Sequence, residues 1–148
     1  MNITSSNSVF VMNFGTLFPI AQKLEGYATD DSFMADVVEI AQTVMGVDGK
    51  LSAGYVPNPT VMTITFQPDS PSINKFEFLI ASMKQARDIF ELSATIALPS
   101  ISRSYACVRG VLTEYKPLPD AKKLLQPVTY KITWESIQVG AVWQDWLA

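Results

Sequence analysis

Three strand-borne carboxylates, one thiol and no imidazole set the chemistry that this chain can attempt. Glu39, Glu114 and Glu135 would have to converge to serve as a general acid–base pair, and nothing in their spacing demands it. Because histidine is absent, the commonest general base and the commonest metal ligand are both missing, and only carboxylates, lysine or tyrosine remain. Asp30, Asp31 and Asp36 suggest a cation site, but their spacing matches no loop-ligand pattern. No glycine stands where a calcium loop needs its sharp turn, so the segment reads as a solvated acidic loop. Cys107 lies in the apolar run Tyr105-Ala106-Cys107-Val108, the setting of a buried, inert thiol. A single cysteine excludes an internal disulfide and a thiolate cluster and suits a reducing cytoplasm. The expectation is a protein that is not an enzyme and takes no cofactor or metal.

Composition points to assembly instead. Of the 148 residues 48% are hydrophobic and 17% are charged, against about 25% charged in an ordinary domain. A chain of this length buries roughly 70% of its unfolded surface, too little to hide so much apolar side chain in a monomer with ease. Eleven basic and fourteen acidic residues give a net charge of −3, and no basic run offers itself to phosphate. The N-terminus has no positively charged start or cleavage site, and no apolar run approaches a membrane span. The expectation is a chain neither secreted in the ordinary way nor membrane-spanning, so Asn2-Ile3-Thr4 is set aside as a glycosylation acceptor.

The element that must position everything else is a helix at about 70–92. Ser70 caps it and Pro71 takes the first helical position. Phe76, Leu79, Ile80, Met83, Ala86 and Phe90 recur at three- and four-residue steps as a core-facing stripe. The rest reads as strands and turns. Val9–Ile20 is a strongly apolar arm or strand, and residues 23–35 a polar loop. Val37–Met45 and Leu51–Val56 flank the turn Val47-Asp48-Gly49-Lys50, an Asp-Gly hairpin signal. Val61–Gln67 alternates Met62, Ile64 and Phe66 with threonines. Ser93–Leu98 and Tyr105–Tyr115 follow as strands, and Lys116–Pro119 as a rigid turn. From Val128, Tyr130, Ile132 and Trp134 alternate with Thr129, Lys131, Thr133 and Glu135, the clearest period-two pattern in the chain. The last ten residues hold Trp143, Trp146 and Leu147, an apolar end suited to docking. No repeat or linker divides the chain. The expected architecture is therefore one domain over residues 1–148, mainly β with one flanking helix, an arm at about 9–20 and a Trp-bearing tail at about 139–148.

Four blocks resemble the tail tube proteins of contractile-tailed bacteriophages: MGVDGKLSAGY at Met45–Tyr55, MTITFQPDSPS at Met62–Ser72, RGVLTEYKPLPDAKK at Arg109–Lys123 and LQPVTYKITWE at Leu125–Glu135. The likeness spans about two-thirds of the chain, roughly 36–137, in block order and wording. It implies a β-sandwich or barrel with one flanking helix, related in fold to the tubes of R-type pyocins and type VI secretion. It also implies a structural virion protein, in which hexameric rings stack into a tube that carries the genome from capsid to host. Implied partners are further copies of itself, the sheath and tape measure proteins, the baseplate hub and the tail terminator. Assembly would take place in the host bacterial cytoplasm, and double-stranded DNA would pass without specific binding.

A conduit for DNA must not hold it, so its wall should be polar or acidic. Thr63, Thr65, Thr129, Thr133 and Glu135 are the candidate lumen residues. Lys131 fits that wall only if Glu135, on the same face, offsets it. Phe10, Phe14, Phe18, Asp48, Gly49, Trp143 and Trp146 are the candidate subunit-interface residues, Asp48 and Gly49 in a loop that reaches the neighbouring ring. A ring in the baseplate or at the tail terminus reads the same way in sequence. The reading from another class is a monomeric small β-barrel that binds an apolar ligand around Trp134.

Overall fold

The computed structural model describes residues 8–14, 22–24 and 33–139. Strands β1 (Val9–Asn13), β2 (Gln22–Lys23), β3 (Phe33–Ala35), β4 (Ala41–Met45), β5 (Leu51–Tyr55) and β6 (Thr60–Phe66) precede helix α1 (Ser72–Ala86). Strands β7 (Leu92–Leu98), β8 (Arg103–Tyr115) and β9 (Val128–Val139) follow it. Seven strands form one sheet in the order β2-β1-β7-β8-β9-β6-β3, curled into a half-barrel, while β4 and β5 form a separate two-stranded hairpin. The expected mainly β architecture with one helix is thus what the chain adopts.

Alternation explains the layering. Along β6 and over Val128–Trp134 of β9 every second side chain is buried, and Met62, Ile64, Phe66, Tyr130, Ile132 and Trp134 make the inner face. Helix α1 closes over that face with Ile73, Phe76 and Leu79. Phe76 is the hinge of the packing: its ring stacks on Tyr130 at 4.6 Å and meets Phe14 edge-on at 5.4 Å.

The helix starts where expected. The Ser70 hydroxyl accepts the Ser72 N–H at 3.2 Å, and Pro71 supplies the first turn. Ser70→Ala should lower stability by about 1 kcal/mol in urea titration, and an unchanged midpoint would show that the cap contributes nothing. The helix ends earlier than expected. Arg87 adopts φ 53° and its N–H turns back to the Met83 carbonyl, which stops the helix at Ala86 rather than near residue 92. Ala86 is exposed, and Phe90 packs on the core from the connection into β7, not from the helix.

One further expectation is corrected: the supposed polar loop contains β3, whose Phe33 meets Phe10 edge-on at 5.6 Å. Of the two alternatives for the apolar segment, arm or strand, Val9–Asn13 takes the strand, set between β2 and β7.

A candidate assembly surface: the outer sheet face and the projecting hairpin

Each inward side chain of the sheet places its neighbour on the opposite face, away from α1. Thr63, Thr65, Thr129 and Thr133 lie half-buried on this outer face, with Glu135 exposed beside them. The register sets Thr65 opposite Thr129 and Thr63 opposite Lys131. The Thr133 hydroxyl lies 3.4 Å from that of Thr113 on β8. All five candidate lumen residues therefore share one polar surface.

Among the described side chains near these threonines, two cations, Lys131 and Arg109, are both ion-paired. Lys131 Nζ lies 3.5 Å from Glu114, and Arg109 Nε lies 3.1 Å from Glu91 and 3.8 Å from Glu135. The expected offset of Lys131 by Glu135 is corrected: Glu114 takes that place and Glu135 faces Arg109. A bulge is the reason. The register slips between Leu112 and Glu114, so Thr113 and Glu114 are both exposed, and Glu114 comes opposite Lys131. A second irregularity prepares Arg109. β8 carries an extra residue against β7 between Cys107 and Gly110, and Arg109 sits there with φ 45°. Two cations against three carboxylates leave this cluster at −1. Glu39, expected on a strand, lies instead in the irregular segment before β4 at the hairpin base, where its backbone carbonyl accepts the Asn58 amide at 2.9 Å.

The hairpin forms as the sequence predicts. Gly49 takes φ 82°, the Asp48 carboxylate accepts the Lys50 N–H at 3.1 Å, and Gly46 and Lys50 close the turn at 2.8 Å. What alternation did not reveal is its isolation. Every residue of β4 and β5 is exposed, including Val44, Met45, Leu51 and Tyr55, so neither face rests on the described core. Asp48 and Gly49 thus stand at the tip of an apolar projection. A second apolar surface, also missed, is the Lys116–Pro127 connection, which exposes Leu118, Leu124 and Leu125. Its sequence signal is the Leu124-Leu125 pair beside charged residues.

Of the other candidate interface residues, Phe10 and Phe14 are fully buried in the chain's own core and offer no surface to a neighbour. Their alternation with Val9, Val11 and Asn13 turns them inward. Phe18, Trp143, Trp146, Asp30 and Asp31 lie outside the described residues.

Cys107 faces inward from β8, and burial pushes its thiol up to about 12. Burial first, and the Glu77 charge second, push the Tyr130 phenol up to about 12 as well. Both groups keep in the folded chain a proton that the unfolded chain releases near pH 9 and pH 10 respectively. Their contribution to stability is full below about pH 9 and is lost as pH rises toward 12. Cys107→Ala should move the onset of alkaline destabilisation up to about pH 10, read by urea unfolding at stepped pH. A profile identical in shape to the native one would contradict this.

Residues 1–138 match the family model described as tail fiber protein gp32, and the chain belongs to that family. It is a phage tail-associated structural protein. No curated protein matches it in sequence. Among the solved structures that share its fold is a chain of the anti-feeding prophage baseplate, determined by cryo-EM with six-fold symmetrisation. The match has a TM-score of 0.59 at 10% identity and covers 94% of this chain and 95% of that one. At that identity the shared property is the fold.

Proposed function

We propose that this chain is a ring-forming subunit of the inner tail tube, stacked as hexamers into a conduit for double-stranded DNA. The observation that carries the reading is the outer sheet face, where threonines surround two cations that are each held by glutamate. At these two positions the phosphate backbone meets a cation already engaged by glutamate. The sheet ends in the short strands β2 and β3, edges that a neighbouring copy can extend. In this reading the sheath and tape measure proteins, the baseplate hub and the tail terminator are partners, and the catalytic and cofactor roles are empty. Trp134, which an apolar-ligand barrel would have used, is buried against Gly110.

A second reading, a ring in the baseplate, is favoured by the fold shared with a baseplate chain. Gold-labelled antibody on virions with contracted sheaths separates the two. Label along the exposed inner tube is the expected result. Label confined to the baseplate would select the second reading, and label on the fibres alone would reject both.

A further inference from the structure

The β4–β5 hairpin and the Lys116–Pro127 connection lie at opposite ends of the molecule. The hairpin leaves the sheet through residues 36–40 and returns through 56–59 into the first residue of β6. The connection joins the end of β8 to the start of β9, and Phe66 at the far end of β6 pairs with Val128. The length of β6 therefore separates the two surfaces.

Both surfaces are apolar and carry opposite charge. Residues 36–58 hold Asp36, Glu39 and Asp48 against Lys50, a net −2. Residues 116–127 hold Lys116, Lys122 and Lys123 against Asp120, a net +2. Asp120 pairs with Lys116 at 3.2 Å, and among the described residues no ion pair engages Lys122 or Lys123. Beside the connection, Tyr115, Lys116 and Pro117 join Ile80 and Lys84 of α1 around a groove of about 320 Å³. Lys84 lies over the Tyr115 ring at 5.2 Å.

We propose that the hairpin tip of one copy docks on the Lys116–Pro127 connection and its groove in the next copy, head to tail. The inference rests on the reading of the chain as a self-assembling tail component, and it names the receiving surface. Two patches of opposite charge at opposite ends cannot satisfy each other within one copy. A two-fold pair can match unlike patches only by setting two copies antiparallel side by side, and it then closes as a dimer. A heterologous contact satisfies both and repeats without closing, which is how a stack grows. Val47 and Leu51 would fill apolar space beside Leu118 and Leu124, with Asp48 toward Lys122 and Lys123.

The test mixes two full-length single-cysteine-addition variants, Val47→Cys and Leu124→Cys, under assembly conditions with mild oxidation. Both positions are exposed, so neither change disturbs the core, and the buried Cys107 does not compete. A mixed disulfide that dominates over both like pairs is the expected result. In parallel, K122E/K123E should lose assembly, and adding E39K/D48K to the same chain should restore it. Particles that form with only like-pair crosslinks, or that tolerate K122E/K123E unchanged, would overturn the docking contact while leaving the tube reading in place. If the native chain forms no particles, alone or with other tail proteins, both fall together.

Discussion

Gly110→Val should leave the chain unable to form its native core. A Cβ at this position would stand 2.2 Å from Cε3 and 2.4 Å from Cζ3 of Trp134. The indole is fully buried against the glycine, so it has little room in which to yield. Overpacking a good core costs about 1–3 kcal/mol where side chains can shift. Here the backbone is also committed, because Arg109 at φ 45° aims the bulge that holds Gly110 beneath the ring. A loss above about 3 kcal/mol, against a total of about 5–15 kcal/mol for a typical domain, should appear as aggregation or as a collapsed urea midpoint. Gly54→Ala is the control, since a Cβ there meets nothing within 4 Å. It should fold normally. A Gly110→Val protein with the native midpoint would show that the sheet reaches its register without this contact.

The second large effect concerns charge. Replacing Glu91, Glu114 and Glu135 together with glutamine takes the outer-face cluster from −1 to +2 and frees Lys131 and Arg109. Stability should hardly move, because these pairs are exposed and such pairs contribute about 0–1 kcal/mol. Function should move strongly. Each cation that newly contacts phosphate steepens the dependence of log affinity on log salt by about 0.9. Repeated around a ring, the change turns an inert wall into an adhesive one. Assembled triple-variant protein should retain double-stranded DNA at low salt and release it on raising salt, and phage carrying it should eject slowly. Identical DNA retention by native and variant particles would remove this face from the channel.

Structure is legible in the sequence where a local signal agrees with the tertiary demand. Asp48-Gly49 specifies a turn that needs positive φ, and it forms at that place. The alternation of Thr60–Phe66 and Val128–Glu135 matches a half-buried sheet, so inner and outer faces could be separated by counting in twos. The capping serine and following proline located the helix start. The helix end was not legible, because the apolar stripe runs through Phe90 with no glycine or proline to stop it. The stop is an arginine forced into the left-handed region by the path into β7.

The same limit explains the mispaired lysine. Period-two counting places Glu135 beside Lys131, yet a one-residue bulge at Thr113 brings Glu114 there from another strand. Bulges of this kind leave no composition signal. Phe10 and Phe14 are interface candidates in sequence because an apolar arm near a terminus suits docking. Whether such a segment becomes an arm or a strand depends on a free edge beside it, and β7 offers one. The hairpin's exposure was hidden for the opposite reason. Its strands look like any others, and only the fold shows that the sheet passes them by.

Self-assembly of this chain into a hollow ring or tube is tested most directly by negative-stain electron microscopy of the concentrated purified protein. Rings or tubes with a central channel are the predicted result. A compact monomer at every concentration, which also fails to enter particles when mixed with other tail components, would contradict it.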